Sequence, residues 1–474
     1  MKVQTTPYTP TIQRPFWLEQ ALFTDGGLAP ALQGQQTADV CIVGGGYTGL
    51  WTAILSKQQN PALDIVILEA DLCGAGASGR NGGCLLTWSA KFLTLRRLYG
   101  EAEAIRLVKA SEAAVQHIAD FCRAHHVDAE LRHDGTLYTA TNQAQVGTLA
   151  PVIAALQACG IESYFPLAPS EVARRSGSVQ NVAGVFSPFA ATVQPAKLVR
   201  GLRRVALQMG IRIFERSPML DLSPGQPATV RTPGGDITAG KLVLATNAWM
   251  ASMFPQFERS IAIVSSDMVI TEPCPEPLLA SGLRDGVSVL DSRTFVYYYR
   301  GTPDGRLMLG KGGNTFAYGG CISPVYDQRS SYEASLTRAL RAFFPSLAAV
   351  PMTASWTGPS DRSVTGFPFF GRLNDAPHIF YGFGYSGSGV GPCYMGGQIL
   401  SSLLLGQDNA WTRSPLTRGP LGQFPPEPIR YLGSNLVRNA IRRKERAEDD
   451  GRMPWMFDKF LSKFANAAGK ADKA

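Results

Sequence analysis

The run Gly44-Gly45-Gly46-Tyr47-Thr48-Gly49 follows an apolar stretch, Asp39 to Val43, and leads into a segment with helical character from about Thr48 to Gln59. A G-x-G-x-x-G between a strand and a helix has a specific use. The glycines allow a tight turn, and they let backbone N–H groups at the helix N-terminus lie against a pyrophosphate. Glu69 closes the next apolar run, which starts at Asp64, and stands 20 residues past Gly49. A carboxylate there accepts hydrogen bonds from an adenosine ribose and repels a 2′-phosphate. Strand, glycine turn, helix, strand and acid together predict a dinucleotide site that disfavours NADP.

Three more stretches bear on that ligand. Gly74 to Gly83 is dense in glycine and carries one cation, Arg80, with the polar pair Ser78 and Asn81. Lys241 to Trp249 reads as a buried strand ending in small residues, Ala245 and Thr246 among them. Gly382 to Gly391 is a second glycine-rich loop, opening a helix late in the chain. Alone, each is readable as a tight turn. With the fingerprint, they point to one long ligand contacted from both chain ends.

The elements that position these loops follow from pattern. The βαβ opening is that of a doubly wound sheet. Helical spacing covers 98–126, 145–158, 195–209, 331–343 and 394–405, and strand patterns dominate between Arg212 and Gly313. Phe295 to Arg300 and Arg306 to Gly310 flank a Gly-Thr-Pro-Asp-Gly turn, a hairpin signal. Residues 1–36 read as an extended arm, and a Pro-rich stretch at 407–430 precedes a basic tail.

Composition excludes several classes. The chain has 474 residues, 45% hydrophobic and 17% charged, with a mean hydropathy of −0.02. That is globular, and no apolar run reaches the ~18 residues of a membrane span. The first residues lack a signal peptide's apolar core. Eight cysteines occur without a CxxC pair, and five histidines without HExxH, so no metal is expected. Scattered thiols fit a cytoplasmic protein. The net charge of +8 and pI near 9.1 fit either a nucleic-acid or membrane surface, or steering of an anionic cofactor and substrate. Dispersed Lys and Arg favour the second. The tail from Arg430 to Lys463 mixes basic and apolar residues, fitting a helix docked on its own domain or one lying on a membrane surface.

GGGYTGL, the later Glu69, GASGRNGG, ATNAW and GFGYSGSGVG resemble the D-amino-acid oxidase, glycine oxidase and sarcosine oxidase superfamily over about residues 37–410. GASGRNGG resembles the γ-glutamylputrescine oxidoreductase branch. ADLCGAGASGRNGG with ELRHDGTLYTATN resembles aminophosphonate oxidoreductases. The resemblance implies an α/β fold: a Rossmann-like, D-amino-acid-oxidase-type FAD-binding domain plus an α+β substrate domain with an antiparallel sheet. The FAD domain is expected from 37–98, 190–250 and 356–410, and the substrate domain from 99–189 and 251–355, with a basic helical tail at 411–474. FAD would be contacted by Gly44, Gly46 and Gly49 at the pyrophosphate and Glu69 at the ribose. Ser78, Arg80, Asn81, Gly82 and Gly83 would run toward the flavin. Met219, Ala245 and Thr246 would sit near the adenosine half, Trp356 and Gly358 near the flavin edge, and Gly387, Ser388, Gly389 and Val390 under the isoalloxazine. No Cys or His flanks Trp356, so the FAD is expected to be non-covalent.

The implied reaction is oxidation of a C–N bond. A neutral amine gives hydride to flavin N5, and the imine hydrolyses. A second GxGxxG between strand and helix is absent, so the organic substrate, not NADPH, is expected to reduce the flavin, with oxygen or a quinone as acceptor. Orientation and local field matter most in such chemistry. With the hairpin turn centred on Pro303, Tyr299 pairs with Leu307, Tyr297 with Leu309 and Phe295 with Lys311, so Tyr297, Tyr299 and Lys311 share a face. Tyr298, Arg300 and Met308 form the opposite face. Lys311 is expected to hold a substrate anion, unless it is a solvent-facing lysine, and the tyrosines to line the pocket unless they are core. The preferred substrate is a small primary or secondary amine with an anionic group, such as 2-aminoethylphosphonate or an N-alkyl derivative. The alternatives are a γ-glutamylputrescine or polyamine-derivative oxidase, and a tRNA-modifying flavoprotein. No nucleic-acid partner is expected, and peripheral membrane contact through the tail is open.

Overall fold

A computed structural model of the protein describes residues 14–25, 27–465 and 471–472. Two large sheets organise the chain. The first runs Phe369–Leu373, Ala376–Phe383, Gly235–Leu244, Gly34–Val43, Ile65–Leu68, Arg212–Phe214 in spatial order. All neighbours on this path are parallel except the hairpin of Phe369–Leu373 with Ala376–Phe383. Its central residues are buried throughout, as a parallel sheet covered on both faces requires. The fingerprint helix, Tyr47–Gln59, lies against the late helix Pro392–Leu404. Gly397 permits the contact, since a Cβ there would lie 2.6 Å from the Trp51 Cβ. The first and last glycine loops are thereby held side by side.

The second sheet runs Met352–Ser363, Ile261–Thr271, Leu307–Phe316, Tyr297–Gly301, Ser288–Asp291, Thr136–Ala140, Ala183–Ser187, Phe165–Pro166. All its pairs are antiparallel except Ser288–Asp291 with Thr136–Ala140. Strands from 99–189 and 251–355 thus share one sheet. Residues 356–363, expected in the FAD-binding part, belong to this second sheet.

Several expectations change. The arm read as extended over 1–36 lies outside the described residues over 1–13, but Phe16–Thr24 is helical. Trp17, Leu18 and Ala21 are one helical face and are buried. Trp17 packs edge-on against Trp356 at 5.6 Å. The helix read over 98–126 is two, Phe92–Tyr99 and Glu101–Ala124, divided at Gly100 with φ +81°. The hairpin pairs Tyr297 with Lys311 and Tyr299 with Leu309. Its turn centres on Asp304, with Gly305 at φ +78° and Gly305 N–H donating to Thr302 O. Moving the centre by one residue moves each pairing by two, so the faces are kept. The tail helix Ile429–Asp449 docks on the second sheet. Ala440 and Ile441 are buried, and Arg438 and Arg442 donate to the Asn314 carbonyl and side-chain oxygens.

Candidate active site

A cavity of about 830 Å³ opens between the ends of the first sheet's strands and the inner face of the second. That volume lies in the upper part of the ~300–1,000 Å³ range of small-molecule sites. At one end stands the fingerprint turn. Gly44 has φ +113°, and a Cβ on it would fall 2.5 Å from Ala245 O, so the turn is closed tightly against the next strand. Gly46 borders the cavity. The Tyr47 N–H donates to Ser78 Oγ at 2.9 Å, tying the turn to the second glycine loop. Glu69 accepts from the Gly45 and Asp71 N–H groups at 2.7 and 3.0 Å. Burial pushes its carboxyl up to about 7 against those two hydrogen bonds.

The Gly74–Gly83 loop forms one wall. Asn81 staples it, donating to Ala77 O and Ser78 O and accepting from Gly83 N–H. Arg80 pairs with Asp327 and donates to Ala75 O and Thr357 O, so its guanidinium fixes loop to second sheet. Trp356 lies behind this loop: its Nε1–H donates to Arg80 O at 2.8 Å. Arg300 supports the same loop from below, donating to Gly82 O and Val193 O at 2.8 and 2.7 Å.

Of the residues assigned to FAD from sequence, Gly44, Gly46, Glu69, Ser78, Arg80, Asn81, Gly82, Met219, Ala245, Thr246, Gly358, Gly387, Gly389 and Val390 border this cavity. Gly49, Gly83, Trp356 and Ser388 do not. Gly49 is a packing glycine, because a Cβ would stand 2.0 Å from Gly44 O. Gly83, at φ +73°, is closed in by Val193 O and Arg300. Trp356 is 2% exposed and held among Phe16, Trp17 and Arg80. Ser388 N–H donates to Tyr385 O inside its own turn.

The trio Lys311, Tyr297 and Tyr299 is not brought to the cavity. These three share a face, as the pairing predicted, but it is the far face of the sheet. Tyr299 packs on Phe343 and Phe344, and its hydroxyl donates to Ser176 O. Tyr297 packs on Phe343. Lys311 Nζ donates to Phe295 O at 2.7 Å and lies over the Tyr297 ring. Burial lowers its pKa while Glu445 and Asp291 oppose that shift. The opposite hairpin face carries Tyr298, which borders the cavity. Its ring sits over Gly82 and Gly310, where Cβ atoms would come within 2.4 Å. Its hydroxyl and that of Ser266 share a 3.0 Å hydrogen bond.

Sequence reasoning missed Asp361 and Arg362. Both are buried at the end of Met352–Ser363 and border the cavity. Asp361 Oδ2 accepts from the Gly384 and Tyr385 N–H groups, anchoring the late glycine loop. Burial raises its carboxyl to about 6. Arg362 Nη1 donates to Ser386 O at 2.6 Å. Burial lowers the guanidinium to about 10, with Asp361 and Tyr298 opposing the shift. The run Met352–Ser363 is rich in Ser and Thr and is broken by Gly358 and Pro359, so its sequence carries no signal of a covered strand.

A long polar ligand fits this lining. Thr246 Oγ1, Asn247 Oδ1 and Ser360 Oγ are buried on the cavity wall with no hydrogen-bond partner in the protein. Buried polar atoms of this kind require one. The phosphate turn sits at one end, and the buried guanidinium of Arg362 at the wall of the second sheet. The phosphate turn and the unsatisfied polar groups on the wall suit a dinucleotide. The chain belongs to the FAD dependent oxidoreductase (DAO) family, which it matches over residues 39–403. It is 29% identical to gamma-glutamylputrescine oxidoreductase of Escherichia coli over 78% of this chain and 84% of that protein. It is 23% identical to glycine oxidase of Geobacillus kaustophilus over 80% of this chain and 96% of that protein. The crystal structure of glycine oxidase from G. kaustophilus superposes with a TM-score of 0.67 at 22% identity, covering 80% of this chain and 98% of that one. The protein is therefore an FAD-dependent oxidoreductase, with the two-sheet fold of that family. Among the described residues there is no His, Cys, Asp and Glu cluster able to hold a metal, and no helix long and apolar enough to cross a membrane.

Proposed function

We propose that the protein oxidises the C–N bond of a small amine bearing an anionic group, and that Arg362 holds that anion. The observation that carries this reading is a desolvated guanidinium on the cavity wall formed by the second sheet, beside Tyr298 and Gly312. Bound FAD would supply the hydride acceptor. The residues that would hold it are Gly44 and Gly46, Glu69, Ser78, Arg80, Asn81 and Gly82, Met219, Thr246, and Gly387, Gly389 and Val390. This chain's own part is orientation. Arg362 would fix the acidic end of the substrate, as a charge-assisted contact in a low-dielectric site does. The Tyr298 hydroxyl, kept neutral by burial and hydrogen-bonded to Ser266, offers a polar point that accepts from an amine N–H. The loop anchored by Asp361 closes the other side.

An aminoalkylphosphonate, such as 2-aminoethylphosphonate or an N-alkyl derivative, satisfies this arrangement. A second reading, γ-glutamylputrescine or a related polyamine derivative, is favoured by the 29% identity to the E. coli enzyme of that name. γ-Glutamylputrescine also carries a carboxylate, so Arg362 serves either substrate. The test is anaerobic flavin reduction by a panel of amines, with wild type and Arg362→Met. A charged contact of this kind is worth roughly 1.5–3 kcal/mol. Arg362→Met should lose about ten- to a hundredfold in kcat/KM for an anionic amine and little for its uncharged analogue. Equal loss on both, or on neither, removes Arg362 as the anion site.

A further inference from the structure

We propose that residues 453–464 form a docking surface for an anionic lipid bilayer. The short helix Met456–Ser462 turns Asp458 and Leu461 inward. Asp458 accepts from Arg443 of the neighbouring helix at 2.6 Å, so the segment is fixed to the body of the protein. Its outer face is apolar. Met453, Trp455, Met456 and Phe464 are 66–87% exposed, and Phe457 and Phe460 about half. The rings form two contacting pairs, Trp455 with Phe457 and Phe460 with Phe464, each at 5.4 Å. Single exposed apolar residues are ordinary on a protein surface, but a clustered group of this size marks a contact surface.

The chemistry of the face selects the occupant. Lys459 and Lys463 interleave with the aromatics. The acids near the segment are engaged: Asp458 by Arg443, Asp450 by Arg452, Asp449 by Arg293 and Glu448 by Lys444. Trp and Phe favour the boundary between headgroups and acyl chains, and lysine stems reach from that depth to lipid phosphates. A second copy of this chain fits less well, because an interface between two copies of this face would bury Lys459 and Lys463 of both, and the face carries no outward acid to meet them, its one acid, Asp458, being turned inward. The attachment is peripheral, since no described helix is long and apolar enough to span.

The test is co-sedimentation of the FAD-loaded full chain with two vesicle preparations, pure phosphatidylcholine and phosphatidylcholine mixed with phosphatidylglycerol. The variant is Trp455→Ser/Phe460→Ser. Both side chains are exposed, so its melting temperature and flavin spectrum should match wild type. Wild type should partition onto the anionic vesicles, less so at high salt, and the variant should lose at least ~10-fold in partitioning. Three results overturn the proposal. One is no vesicle binding by wild type. Another is equal binding to neutral and anionic vesicles, or by wild type and variant. The last is a wild-type dimer that the variant dissolves, with neither protein on vesicles.

Discussion

Gly46 and Gly49 look equivalent in the fingerprint, yet the structure gives them different work. Gly46 sits before the helix at φ −84°, ψ −174°, which any residue adopts. A Cβ there meets only Ser78 Oγ, at 3.0 Å, and otherwise faces the cavity. Gly46→Ala should therefore fold. Restricting the unfolded chain stabilises by about 0.4–1 kcal/mol, so the FAD-free protein should melt at or slightly above wild type. Its defect should be in FAD binding. If the methyl holds the pyrophosphate off one or two backbone N–H donors, at roughly 1.5–3 kcal/mol each for charged partners, Kd rises by about one to four decades. Gly49→Ala is the opposite case. Its Cβ would lie 2.0 Å from the Gly44 carbonyl oxygen and 3.2 Å from Ile42 Cγ2. The first is backbone, so the helix must move by more than an ångström. Overpacking of that kind costs about 1–3 kcal/mol or more, and at ~2–4 °C per kcal/mol for a large domain the FAD-free protein should melt several degrees lower. Thermal melts without FAD, and titration of the stripped protein by flavin fluorescence quenching, separate the two. A wild-type melt for Gly49→Ala, or wild-type FAD affinity for Gly46→Ala, would refute the division of roles.

Lys311→Met should leave discrimination between anionic and uncharged amines unchanged, because Lys311 lies on the far face of the sheet. It should lower the melting temperature, since the buried Glu445 loses the cation that opposes its raised pKa; a substrate-selective kinetic loss would contradict this placement. Glu69 titrates near 7 in the FAD-free protein, above its usual 4.5. Its contribution to stability is present below about 4.5 and lost as pH rises through about 7. FAD's ribose needs the ionised form as acceptor. FAD affinity should therefore strengthen with pH, by up to about tenfold per unit, and level off above 7. Glu69→Gln should flatten that profile, and an unchanged slope in isothermal titrations would count against the assignment. Acid precipitation should leave FAD in the supernatant. Yellow pellet would instead point to a flavin bond at Cys84 or Cys393, the two thiols on the cavity wall.

The nucleotide half was legible because its signals are local. Gly34 to Glu69 is one contiguous strand–turn–helix–strand, and the glycine turn between strand and helix follows from its place in that unit. The late loop from Gly382 was legible for the same reason: glycines bordering a strand end leave few alternatives. What failed was packing between distant segments. Gly49 and Gly83 carry the composition of ligand-facing glycines, and only contacts to Gly44 O and Val193 O reveal them as spacers. The family resemblance implies Trp356 as a flavin neighbour. Its true partners, Phe16 and Trp17, come from a helix that Pro-rich flanks disguised as an extended arm.

The hairpin shows where period-two reasoning stops. Which residues share a face follows from the twofold repeat of a strand, and that survived a displaced turn centre. Which face meets the ligand does not follow, because alternation distinguishes faces only when one of them is wet. Here both are covered. The cavity takes Tyr298, while Tyr297, Tyr299 and Lys311 are roofed by the helix Glu333–Phe343 and the tail helix. A buried lysine then looks like an anion site on chemistry alone. The structure instead sets Lys311 among Asp291, Glu445 and Arg293, so its charge is compensated within the protein. The pair Asp361-Arg362 is the better indicator. A covered strand carries charge only where something offsets its desolvation. For Asp361 that is the backbone N–H groups of Gly384 and Tyr385. For Arg362 the Ser386 carbonyl supplies part of it, and under the function proposed above the anionic end of a substrate would add a charge-assisted contact.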